Sequence, residues 1–380
     1  MAPGRLLGLV CAFAFVCSCL SPVAAGEDDD GYAMFVSVDE TKVSIISGNL
    51  TVAVTRDWPR LVFWHSVDPF SPTFEVGFPK MYLFNDTDGD GRFCRAEAVY
   101  TVFLDSNHVE WNLSSVQSDF DDDIGEFVMF SMRARADAYS SAIEESLAVE
   151  SWANVTFWFC IAEGATTYEN PAGAHSLSGK TDAFVNMTVE VTNRTEFQSL
   201  AVERFLQGGG STDEFHILED GPEGGVSAVL SGRVDESVGD EDFMRPLNGT
   251  DSPTQCVEFA KDDGAVQAFY RWGSEAADRS GLVPGIHMNS TCFTTGVGLM
   301  LHSSLPLENG TVSFSHDSSI GIQEEGFVGA MTDWVKENVL AVAVVAAATA
   351  AVAVVVLHIA LRRRRLQGRS REDGVRKDGG

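Results

Sequence analysis

Apolar residues along most of this chain recur at every second position. "NMTVEVTN" sets Met187, Val189 and Val191 against Thr188, Glu190 and Thr192, and "GNLTVAVT" and "GTVSFSH" alternate in the same way. Further short apolar or aromatic runs are "RLVFWH", "AVYTVFL", "EFVMFSM", "VTFWFCIA", "AVQAFYRW" and "GVGLMLH", separated by Gly, Asn, Asp and Pro clusters. A period of two places alternate side chains on opposite faces of a strand, and regularly spaced short strands with turn chemistry between them predict an all-β, antiparallel β-sandwich. Two stretches instead read as helical: Ala136–Glu150 ("ADAYSSAIEESLAVE") and Phe327–Asn338.

The β-rich body is about twice the usual domain size, which predicts two stacked modules. Periodicity lapses over "EGATTYENPAGAHSLSGK", Glu163 to Lys180. The expected division is residues 26–165 and 175–325, with one large continuous sandwich as the alternative. Phe205–Ser252, acidic and glycine-rich, reads as long loops at one end of the second module.

The ends of the chain change the picture. Residues 1–25 carry one basic residue, an apolar run from Leu6 to Leu20 and the small residues Val23-Ala24-Ala25, the pattern of a signal peptide. Val339–Leu361 is apolar all round apart from Thr349 and His358, and Arg362–Arg365 follow at once. About 20 apolar residues cross a bilayer and a basic block marks the cytoplasmic side. The expectation is a single transmembrane helix at 339–361, preceded by a juxtamembrane helix at 326–338 and followed by a basic cytoplasmic tail, 362–380. The body would then be the extracellular ectodomain of a type I plasma-membrane protein.

Charge agrees with that division. Gly26–Leu361 holds 52 Asp+Glu against 17 Lys+Arg, while the tail has 8 basic and 3 acidic residues. So acidic a body repels nucleic acid, whose phosphates need cationic partners, and suits divalent cations. Four of the seven cysteines lie outside the signal peptide, and the expected disulfides are Cys94–Cys160 and Cys256–Cys292. Nine Asn-x-Ser/Thr sequons, at Asn49, Asn85, Asn112, Asn154, Asn186, Asn193, Asn248, Asn289 and Asn309, predict a glycosylated exterior, with those at strand starts facing outward.

The most chemically loaded segment is "FNDTDGDGRFCRAE", Phe84 to Glu97. Counting Asp86 as position 1 puts Asp88 at 3, Asp90 at 5, Gly91 at 6, Arg92 at 7 and Glu97 at 12, the D-x-D-x-D-G spacing of a calcium loop. Ca²⁺ takes six to eight hard oxygens, so the expected ligands are the carboxylates of Asp86, Asp88, Asp90 and Glu97 with the backbone carbonyl of Arg92. Strand-like flanks replace the helices of an EF-hand, which points to a structural calcium loop in a β-rich extracellular protein. The competing reading is a polar hairpin turn. The acidic run "SDFDDDIGE", Ser118 to Glu126, lacks the glycine in register and reads as a solvated loop.

Catalytic motifs are absent from the sequence. The eight histidines form no HExxH pair, and "GAHSLSGKT" misses the phosphate-loop glycine because Ala174 occupies that position. Trp58, Trp64, Trp111, Trp152 and Trp158 serve either core packing or a sugar-binding face. The expected function is a non-enzymatic cell-surface glycoprotein, calcium-stabilised, in adhesion, envelope architecture or binding of a glycan or protein ligand. The alternative is a membrane-tethered carbohydrate-active enzyme on a large β-sandwich.

Overall fold

Strand pairing organises this protein from Phe35 onward. The computed structural model describes residues 34–323, apart from 67–71, 122–124, 141–147, 165, 171–172, 178–180, 193–197, 210–213, 219–225, 232–244, 248–253, 262–265, 280–284, 296 and 308–310. The predicted signal peptide, juxtamembrane helix, membrane span and tail lie outside the described residues. Among those described, no helix is long and apolar enough to cross a membrane.

In chain order the strands are β1 (Phe35–Val38), β2 (Lys42–Ser47), β3 (Leu50–Thr55), β4 (Arg60–His65), β5 (Phe74–Phe84), β6 (Ala98–Phe103), β7 (Asn112–Leu113) and β8 (Gln117–Asp121). Next come β9 (Gly125–Ser140), β10 (Ala148–Ala162), β11 (Thr166–Asn170), β12 (Gly173–Leu177), β13 (Asp182–Thr192), β14 (Ser199–Gly208), β15 (Glu214–Leu218) and β16 (Val226–Ser231). The last are β17 (Arg245–Leu247), β18 (Thr254–Ala260), β19 (Val266–Gly273), β20 (Glu275–Asp278), β21 (Ile286–His287), β22 (Asn289–Thr294), β23 (Leu299–Pro306) and β24 (Thr311–Ile322).

The pairing gives one continuous 22-stranded antiparallel sheet that divides into two arms, the first and second sheets, with β11–β12 as a separate hairpin. The first runs β1-β2-β3-β4-β5-β14-β23-β22-β17. The second runs β9-β10-β13-β24-β19-β18-β15-β16, with β7 and β8 on the far edge of β9. Strand β6 joins them at a corner, pairing β5 on one side and the end of β9 on the other. The sheets face each other through aromatic contacts: Phe78 meets Phe157 at 4.8 Å between ring centroids, and Phe74 meets Phe259 at 5.2 Å.

Alternation accounts for the core. In β4, "RLVFWH", every second residue is buried, and β9 turns Val128, Phe130, Met132, Ala134, Ala136 and Ala138 inward. Pro79, which has no N–H, sits in β5 at a bulge: Phe78 and Pro79 together oppose Arg204, between the pairs Glu203–Lys80 and Phe205–Gly77.

Three expectations are corrected. The helix over Ala136–Glu150 is not formed where residues are described: Ala136–Ser140 end β9 and Ala148–Glu150 begin β10. Ala136 and Ala138, which favour a helix locally, are here small inward residues of a strand paired along most of its length. The two-module division does not follow the pairing, because β10 pairs β13 and β5 pairs β14 across the supposed boundary, and all described residues fall in one compact unit. The boundary stretch itself carries the hairpin β11–β12, and parts of Phe205–Ser252 are strands β15, β16 and β17.

Candidate metal centre

Strand β5 delivers the aspartate loop and β6 receives it, with a 3₁₀ turn at Arg95–Glu97 between. The loop is coiled by its own carboxylates. Asp86 accepts the Gly89 N–H at 2.8 Å on Oδ1 and the Gly91 N–H at 2.9 Å on Oδ2. Asp88 accepts the Asp90 N–H at 3.1 Å, and Asp90 the Arg92 N–H at 2.7 Å. Such local side-chain-to-backbone bonds are the preferred chemistry of Asp in turns. Gly89 and Gly91 lie at φ +78° and +72°, a region that L side chains avoid.

The far end of the loop closes onto its start. Glu97 Oε1 accepts the Thr87 N–H at 2.7 Å and its hydroxyl at 2.5 Å. Oxygens of Asp86, Asp88 and Glu97 then lie within 4.8 Å of one another. Glu97 Oε2 is buried with no hydrogen-bond partner. A buried carboxylate oxygen without a partner is costly unless a cation meets it, so these three residues fit a hard divalent ion. Asp90 is not in the cluster; it lies 3.7 Å from the Arg92 guanidinium, beside the exposed rim. Of the five expected ligands, three carboxylates are brought together.

What holds the loop was not foreseen. Phe93 turns inward, 3 % exposed, onto the outer face of the first sheet. It stacks on Tyr82 at 4.5 Å, meets His302 edge-on at 5.1 Å, and its N–H bonds Ser304 Oγ at 3.0 Å. Beneath it Glu203, 5 % exposed, accepts from the Tyr82 hydroxyl at 2.8 Å and from His302 Nε2 at 3.1 Å, with Lys80 Nζ at 3.9 Å. Burial pushes the Glu203 pKa up, but His302, Lys80 and Tyr82 outweigh it and hold the group below the usual carboxylate range. The neighbouring Arg204 faces the other way, into the core, donating to Ser303 Oγ at 2.6 Å and meeting His316 Nδ1 at 2.9 Å. The available signal was "AVERF": two adjacent charges in an apolar strand must point to opposite faces.

The cysteines are placed apart. No disulfide joins any two of the four. Cys160 alternates with core residues Phe159 and Ile161, so it faces outward from the second sheet, whereas Cys94 follows Phe93 across the outer face of the first. Two stacked sheets are about 10 Å apart and a disulfide needs Cα atoms within about 7 Å, so the expected Cys94–Cys160 bond does not suit the fold. Cys256, opposite Arg271, faces outward, while Cys292, opposite Leu301, faces the core. Burial pushes the Cys160 thiol up to about 11.

The sequons divide as well. Asn112 and Asn154 are exposed, and Asn49 and Asn85 half-buried. Asn186 contradicts the outward expectation: it is buried and its amide nitrogen donates to Asp317 Oδ1 at 2.5 Å. Asn289 donates to the Gly91 carbonyl at 3.2 Å, wedged against the loop. Asn193, Asn248 and Asn309 lie outside the described residues.

Trp111 is a core residue, its indole N–H donating to the Leu104 carbonyl at 2.9 Å. Trp158 is 37 % exposed, and Trp58 lies partly buried against Gly77. Trp64 is partly buried opposite Thr51, and the Trp152 side chain lies outside what is described. The second acidic run is the strand β8 through Asp121; residues 122–124 are outside the description. A hollow of about 420 Å³ has Asp57, Glu110 and His108 among its lining residues, and His108 Nδ1 lies 2.8 Å from Asp105 Oδ1. The chain matches no protein-family model and no curated protein.

Proposed function

We propose that this chain is a single-pass, type I cell-surface glycoprotein with a calcium-stabilised β-rich ectodomain in a non-enzymatic adhesive, envelope-structural or ligand-binding role. The observations that carry the calcium reading are the convergence of carboxylate oxygens of Asp86, Asp88 and Glu97 and, separately, the buried Glu97 Oε2 that has no hydrogen-bond partner. The export reading rests on the sequence: the apolar run at Leu6–Leu20, the span at 339–361 with its arginine block, and the sequons. Calcium would neutralise the clustered carboxylates and fix the loop that Phe93 pins to the first sheet.

Extracellular calcium modules bind at about 10⁻⁴–10⁻³ M. At about 10 mM Ca²⁺ this raises the melting temperature by roughly 5 °C over the same protein in chelator. The double substitution Asp86→Asn, Glu97→Gln removes that difference. Equal melting curves for the unaltered protein with and without calcium would take the ion out of the account.

A second reading, a membrane-tethered carbohydrate-active enzyme, has one observation in its favour: two carboxylates, Asp57 and Glu110, share a hollow with an imidazole. Turnover in a glycoside hydrolysis screen, lost in Asp57→Asn or Glu110→Gln, would support it; an inert unaltered protein would end it.

A further inference from the structure

The outer face of the second sheet has a groove of about 380 Å³ where the edge strand is interrupted between β7 and β8. Its size is at the lower end of ligand sites, ~300–1,000 Å³. Strand register explains its walls. Asn112 pairs with Arg133, Gln117 with Met129, and Trp158 with Ser131, and directly opposed residues of antiparallel strands share a face. Trp158 stands half out of the sheet with the Arg133 guanidinium 5.5 Å from its ring centroid. Ser114, in the gap, bonds back to the Ser131 N–H at 2.8 Å, while the Ser131 hydroxyl is fully buried and has no hydrogen-bond partner. An aromatic plate rimmed by amide, guanidinium and hydroxyl groups suits a sugar ring, which offers one face of C–H groups and an edge of hydroxyls or acetamide.

We infer that this groove seats the N-glycan carried by the protein's own Asn112. The occupant follows from the sequon Asn112-Leu113-Ser114, whose exposed asparagine is itself part of the groove wall. A glycan attached there needs no diffusional encounter, because the tether supplies a high effective concentration beside Trp158. Asn154 presents a second exposed sequon four residues before Trp158 on β10, pointing from the same face but outside the groove. The inference rests on the exported-glycoprotein reading above.

The test uses the full chain expressed in a glycosylating host and extracted from its membranes in detergent. Glycopeptide mass spectrometry maps occupancy, and peptide-N-glycosidase then releases glycans from the native protein. The Asn112 glycan is expected to be released about tenfold faster from Trp158→Ala than from the unaltered protein, with an intermediate rate for Trp158→Phe and no change at Asn154. Circular dichroism checks that both variants are folded, and Trp158→Phe serves if the alanine variant is not. An occupied Asn112 released at one rate from all three proteins overturns the inference and leaves the glycoprotein reading standing. Quenching of Trp158 fluorescence by free chitobiose, seen equally in Asn112→Gln and in the glycosylated protein, assigns the groove to a foreign saccharide and also overturns it. A chain with no occupied sequon overturns both.

Discussion

Glu203 shows how one carboxylate can link the loop to the sheet beneath. It is buried under Phe93, and its charge is met by His302, Tyr82 and Lys80. Its pKa is lower folded than unfolded, so it contributes stability above the ordinary carboxylate range, near pH 4.5, and loses it as pH falls through the folded value. Melting temperature measured in chelator, from about pH 7 to 3, is therefore expected to drop on the acid side, and Glu203→Gln flattens that drop. An unchanged acid limb in the variant would show that the cluster does not couple to stability. Residue-scale partners of this kind were barely legible in the sequence. "AVERF" requires one charge to face inward, but which residues meet each charge depends on β14 lying between β5 and β23, and no local pattern encodes that neighbourhood.

Elements were legible wherever alternation was strong and the strand two-sided. "RLVFWH" is β4 to the residue, and the aspartate loop was located with its glycines because turn chemistry is local. The failures share a cause. Ala136–Glu150 and the disulfide pairs were judged from neighbours in sequence, whereas their outcome is set by which face of which sheet each residue occupies. The loop's fit to that surface is itself testable. A Cβ on Gly91 would meet Asn289 Nδ2 and would also occupy positive φ, so Gly91→Ala is expected to destabilise by about 1–3 kcal/mol in urea unfolding. Gly89→Ala shares the positive φ but meets no neighbouring atom, and so gives a smaller loss. Equal losses would mean that strain alone, without the Asn289 wedge, accounts for Gly91. The cysteine placement yields a parallel outcome: with its thiol held near 11, Cys160 stays unlabelled by iodoacetamide at neutral pH in the folded protein and becomes reactive on unfolding. Labelling that needs prior reduction would instead mean that it is oxidised in a disulfide.

The whole molecule differs most from what length and the lapse at Glu163–Lys180 led one to expect. Each sheet takes strands from both sides of that lapse, and the core is stitched across it by contacts such as Phe74 with Phe259 and Phe63 with Phe259. Neither half can bury its apolar face alone: removing residues after 165 strips β13 from β10 and β14 from β5, exposing sheet edges as well as the core. Calorimetry of the full chain in detergent is therefore expected to show one cooperative transition for the β-body, with no separate melting of residues 26–165. Phe157→Ala and Phe259→Ala, one on each side of the lapse, should each lower that same transition, by about 3–5 kcal/mol, since both remove large side chains buried between the sheets. Two resolved transitions, each shifted by only one of the substitutions, would restore the two-module division. A single shared shift would mean that the aspartate loop, the Asn112 groove and the Asp57–Glu110 hollow are mounted on one cooperative scaffold. Ligation at any of them would then stabilise the whole body rather than a local module.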